Sequence, residues 1–130
     1  MSGDDLYNRG MKTRTEVLGR AHVERATQRA TPFDKDFQEF ITKYCWGDVW
    51  NRPGLERKTR SMLNLAMLAA LGREDEFKLH LRASRNTGVT RDEAKEILIQ
   101  VAVYAGVPAA NTAFRLAREV FEQMDKEGQA

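Results

Sequence analysis

Apolar residues along this chain recur at intervals of three and four, and nowhere do they alternate with polar ones over the length of a strand. The pattern predicts an all-α protein of about six helices. The first section, from Asp4 to about Ala30, sets Leu6, Met11, Val17, Leu18 and Val23 among many charges, as an amphipathic arm broken near Gly19 would. Such an arm suits the surface of a neighbouring subunit. Thr31, Pro32 and Asp34 supply a cap hydroxyl, a proline at the first helical position and an early acid, so a second helix should start there and run to Trp46. Gly47 to Gly54, with Trp50 and Pro53, reads as a loop that brings two indoles near the start of the next helix. Loops of this kind often border sites.

From Leu55 to Leu71 the chain turns almost wholly apolar, with Asn64 the one interruption between Met62 and Leu71. A helix apolar on every side is expected to be buried on every side. Gly72 and Arg73 mark a break. The next helix, about Glu74 to Thr87, should stop at Gly88, and Thr90 with Glu93 forms a capping box for the one after. That helix carries Ile97, Leu98, Ile99, Val101, Ala102 and Val103, reaches Gly106 and meets Pro108, where the last helix begins. Two helices this apolar are more than the amphipathic remainder of a 130-residue chain can wrap, so subunit contacts are expected as well as a core. The tail after Met124 is polar and expected to fray.

A length of 130 residues with 42% apolar composition fits one compact domain. Lys plus Arg outnumber Asp plus Glu by 21 to 19, a net charge of +2 too small to argue for a nucleic-acid partner. Cys45 is the only cysteine, which excludes an intrachain disulfide or a metal site needing several thiolates and fits a reducing cytoplasm. Neither a signal-peptide core nor the ~20 apolar residues of a membrane span is found, so a soluble cytoplasmic protein without a membrane partner is expected.

Only two histidines, His22 and His80, offer a group that titrates near neutrality. Glu76 and His80 stand four apart on a predicted helix, on one face and within reach of each other. A carboxylate beside an imidazole raises its pKa and orients it as a proton donor; the plainer reading is a surface pair at helical spacing. Arg57 and Arg60, at the head of the apolar helix, can grip a carboxylate in a bidentate way, as can Arg82. Lys78 and Arg85 read more simply as solvated surface. Trp46 and Trp50 either wall a pocket or anchor a core. Cys45 has no neighbouring histidine in sequence and reads as an inert thiol. There is no glycine-rich phosphate loop, zinc-spaced histidine pair or paired-cysteine motif, and Glu76 and His80 lack the spacing and second copy of a di-iron bundle, so no cofactor and no metal are expected.

Taken together in their order and spacing, the segments Gly19–Val23, Trp46–Trp50, Arg52–Leu55, Arg57–Ser61, Lys78–Ala83, Asn86–Thr90 and Tyr104–Asn111 resemble the gamma-carboxymuconolactone decarboxylases over most of the chain. The resemblance implies an alkylhydroperoxidase-like helical fold assembling into a ring, commonly a homohexamer. Superfamily members that reduce peroxides carry two cysteines three apart and a histidine four residues later. His80 matches that histidine, while Arg73 and Glu76 stand at the cysteine positions, a departure that removes disulfide chemistry and leaves the decarboxylase branch.

That branch implies a small dianionic lactone as substrate, in the beta-ketoadipate route of aromatic-acid breakdown. The carboxylate on the ring carbon leaves as carbon dioxide and the substrate's own carbonyl holds the electrons, so no cofactor is called for. The resemblance then suggests His80 as the proton donor and Glu76 as its orienting carboxylate. It suggests Arg57 or Arg60 as the anchor of the retained carboxymethyl group, Trp46 or Trp50 as the shield against water, and His22 as a further contributor. Two other readings stand beside it: a related peroxidase or small-acid lyase or isomerase, and a non-catalytic helical assembly module.

Overall fold

The computed structural model describes residues 3–128. Among these there is no strand; the chain forms α1 (Gly3–Leu18), α2 (Arg20–Arg29), α3 (Lys35–Phe40), a π-helix (Ile41–Asp48), a 3-10 turn (Val49–Asn51), α4 (Arg57–Leu71), α5 (Glu74–Thr87), α6 (Arg91–Tyr104) and α7 (Val107–Lys126). The expected arm breaks at Gly19 into two helices, giving seven α-helices among the described residues where about six were expected. No helix among the described residues is long and apolar enough to cross a membrane. The elements fall into two compact units, one ending at Glu56 and the other beginning at Arg57.

In the N-terminal unit, α1 lies along the π-helix. Its buried residues, Gly10, Thr13, Arg14, Val17 and Leu18, recur at three and four and so form one stripe. The approach is close enough to require glycine on both sides. A Cβ at Gly10 would stand 1.8 Å from the Thr42 carbonyl oxygen, and one at Gly47 would stand 2.6 Å from that of Leu6. Asn51 ties the end of the segment back, donating to Thr13 Oγ1 and to the Trp46 carbonyl, each at 2.9 Å.

Two expectations about this region are corrected. Thr31 does not begin the second helix: the Asp34 carboxylate instead accepts from the Thr31 backbone N–H at 2.7 Å, making a turn from which α3 starts at Lys35. Nor does helical structure stop at Trp46. It widens into the π-helix and runs on through Gly47 and Asp48, because the missing Cβ of Gly47 serves contact with α1 rather than chain termination.

The C-terminal unit is a four-helix arrangement around Leu65, Phe77, Leu81, Leu98, Leu116 and Met124. Its boundaries follow local signals. Gly88 takes the left-handed conformation that ends α5, the Thr90–Glu93 capping box is formed at α6, and Pro108 lies in the first turn of α7. Lys58 reaches the same Glu93 at 2.9 Å, tying α4 to the start of α6. Ser61 and Thr87 join α4 to α5 through their hydroxyls at 2.7 Å.

Within a single chain α4, expected to be buried on every side through core and subunit contacts together, is covered along one face. Only Ser61, Leu65 and Ala69 are buried, whereas Leu63, Met67 and, at 69% relative exposure, Leu71 face outward. Three companion helices cover one face of α4 and no more. On α6, likewise, Val103 is 72% exposed. Beyond Met124, where the polar tail was expected to fray, α7 continues to Lys126, with Asp125 paired to Arg91 at 2.8 Å and Glu127 to Arg82 at 2.7 Å, while Gln129 and Ala130 lie outside the described residues.

Candidate functional site

In the C-terminal unit, α5 carries Glu76 and His80 one turn apart, Glu76 exposed and His80 half-buried. Glu74, Asp75 and Glu76 fill the first turn of α5, where unsatisfied backbone N–H groups favour negative charge. Glu76 therefore has a structural reason to be acidic, independent of any chemistry. Arg57 and Arg60 sit half-buried in the first turn of α4. Arg82 is engaged with Glu127, so its charge serves the packing of α5 on α7. A cavity of about 200 Å³ opens between α4, α5 and α7, lined by Leu68, Leu71, Phe77 and Leu116, with Arg73 and Glu74 among its walls.

In the N-terminal unit, Trp46 and Trp50 are both buried and stack with ring centroids 4.9 Å apart and planes inclined by 20°. The wide turn of the π-helix followed by the tight 3-10 turn brings indoles four apart face to face. Within this unit the pair is an anchor of the packing. Cys45, beside them in sequence, is exposed.

His22, half-buried on α2, has an imidazole held below its ordinary pKa, first by burial and then by the charges of Arg14, Arg25 and Arg29. A histidine so placed is neutral at pH 7 and suits the role of hydrogen-bond acceptor or base better than that of proton donor. No group of three His, Cys, Asp or Glu side chains comes together in a metal-binding arrangement among the described residues.

One residue with chemical potential was missed. Arg14 is 8% exposed, with Nη1 donating to Thr42 Oγ1 at 3.2 Å and Nη2 to Gln38 Oε1 at 3.3 Å, and its Nε is buried without a partner. Burial holds its guanidinium below the usual arginine range. The signal was present in the sequence, since Arg14 falls on the stripe of Gly10, Val17 and Leu18, where an apolar residue is expected.

The chain is similar to proteins of known name over nearly all its length. It is 50% identical over 124 residues to 4-carboxymuconolactone decarboxylase of Acinetobacter baylyi, covering 95% of this chain and 92% of that one. It is 40% identical over 124 residues to nitrosuccinic acid decarboxylase of Metarhizium robertsii, covering 95% of this chain and 87% of that one. A 48-residue 4-carboxymuconolactone decarboxylase sequence from Pseudomonas putida matches along its whole length at 45% identity, over 37% of this chain. Residues 35–119 match the model of the carboxymuconolactone decarboxylase family, and with the all-helical architecture and these relatives the chain belongs to that family.

Proposed function

We propose that this chain catalyses the cofactor-free decarboxylation of gamma-carboxymuconolactone to 3-oxoadipate enol-lactone. The observation that carries this reading is the 50% identity, across 95% of the chain, to the Acinetobacter baylyi protein named for that activity. The fungal relative is named for decarboxylating a different acid. Loss of carbon dioxide is thus common to both names, and the acid is what varies.

In this reading the bond between the ring carbon and its carboxylate breaks, the electron pair enters the conjugated lactone, and the carboxylate leaves as carbon dioxide. The lactone carbonyl holds the charge as a dienolate until a proton adds to carbon. His80 donates that proton in its imidazolium form and recovers one from solvent. Glu76, one turn earlier on α5, favours the charged imidazole and orients it. Arg57 or Arg60, at the head of α4, binds the retained carboxymethyl group. No step is assigned to His22, Trp46 or Trp50.

Turnover of the lactone by chelator-treated protein, beside His80→Ala, tests the reading. The parent should form the enol-lactone, and the variant should lose about a hundredfold to ten-thousandfold in kcat, the usual contribution of general acid catalysis. An inactive parent would refute the substrate; an unaffected variant would refute His80 as the acid.

The protein is also proposed to assemble with copies of itself, as a ring. Support comes from the apolar side chains left outward on α4 and α6, among them Leu63, Met67, Ile99 and Val103, which a lone chain would expose to water. Light scattering measures the mass directly, and a monomer at assay concentration would refute assembly.

A further inference from the structure

Arg14 is a buried cation whose hydrogen-bond partners, Thr42 and Gln38, are both neutral. A charge taken out of water ordinarily sits against an opposite charge, because neutral oxygens replace only part of the lost hydration. Here the terminal nitrogens reach a hydroxyl and an amide oxygen at 3.2 and 3.3 Å, long for charge-assisted bonds, and Nε has no acceptor. The guanidinium is thus held in place by α3 and the π-helix without being neutralised by them.

The same residue lines a cavity of about 490 Å³ lying wholly within the N-terminal unit, bounded by α1, the end of α2, the turn after it and α3. That volume matches a small organic molecule. Met11, Ala26, Ala30 and Pro32 supply apolar wall, while Lys35 adds a second cation and Glu39 one anion. Of the charged side chains that line it, two are thus cationic and one anionic.

We propose that this cavity binds a small organic carboxylate, with the Arg14 guanidinium as its buried counter-ion and Lys35 as a second cationic contact. The guanidinium fork accepts either anion, but a carboxylate fits better than inorganic phosphate because the apolar walls have use only for a ligand with a carbon body. The cavity is lined by residues of the N-terminal unit alone, and the proposal stands whether or not the assignment made to α5 holds.

The test is a titration of the full-length protein with succinate, followed by NMR at the Arg14 Nε–H, a proton shielded from solvent by its burial and assigned by its disappearance in Arg14→Lys. Succinate should move this resonance saturably by about 10 mM, a concentration well above the weakest specific binding worth the name. Equimolar phosphate or chloride should move it far less. No saturable movement, or an equal response to chloride, would overturn the proposal. Should Arg14→Lys fail to fold, Lys35→Gln, at an exposed position, carries the test by calorimetry. Succinate affinity should fall roughly two- to fivefold on loss of one exposed charge, and an unchanged affinity would overturn the site as drawn.

Discussion

Replacing Gly10 by alanine should destabilise the N-terminal unit, although alanine is the better helix former. In an exposed helix interior the change would stabilise by about 1 kcal/mol. Here the added methyl would stand 1.8 Å from the Thr42 carbonyl oxygen, 2.8 Å from its carbon and 3.1 Å from the Gly47 nitrogen, all backbone atoms that no rotamer change can remove. α1 and the π-helix would have to separate by more than an ångström. Overpacking of this kind costs about 3 kcal/mol at the upper end of its usual range, and the Arg14–Thr42 and Asn51–Thr13 bonds span the same seam. The net effect is a loss of about 2 kcal/mol, which lowers a urea midpoint by roughly 1 M. Both tryptophans lie in this unit, so their fluorescence reports its unfolding selectively. Gly54→Ala is the control, since a Cβ there meets nothing within 4 Å. If Gly10→Ala unfolds at the same urea concentration as Gly54→Ala, or higher, the close approach of the two helices is refuted.

His22 should titrate below its ordinary value of 6.5 in an NMR pH series, because burial and three arginines oppose its charged form. With the folded pKa depressed, the unfolded chain takes up the proton first. Stability attributable to His22 is therefore complete above the ordinary value and declines as pH falls from there toward the folded pKa; His22→Gln should flatten this part of the curve, and an unaltered slope would count against it. Arg91 pairs with Asp125, holding that carboxylate below the usual range, and lies 4.5 Å from the Phe121 ring centroid. Arg91→Ala should speed amide exchange in the last turn of α7 while leaving the middle of α5 unchanged, and equal rates in parent and variant would show that the pair does not hold the tail.

The all-helical class, both ends of α5, the starts of α6 and α7 and the break at Gly19 were legible from residues alone, because the boundaries rest on signals a few residues long: a left-handed glycine, a capping box, an early proline. That Glu76 and His80 stand one turn apart on one helix was legible for the same reason, helical spacing being local. The π-helix was not. Gly47 reads as a stop signal, yet the register around it is set by how closely α1 can approach, a contact between residues nearly forty positions apart in the chain. The stacking of Trp46 on Trp50 follows from that register and from no property of the two residues by themselves.

Burial followed the same division. Amino-acid sequence determines how apolar α4 is, but which of its faces meets another helix depends on how many helices are at hand to cover it, and in this chain Met67 and Leu71 remain outward. For Arg14, residue order places a cation on an otherwise apolar stripe, and tertiary packing alone decides that its neighbours are neutral and that a cavity lies beside it. Short-range signals act through backbone geometry that every copy of the motif shares, whereas burial, charge compensation and cavities arise from distant segments filling, or failing to fill, the same space.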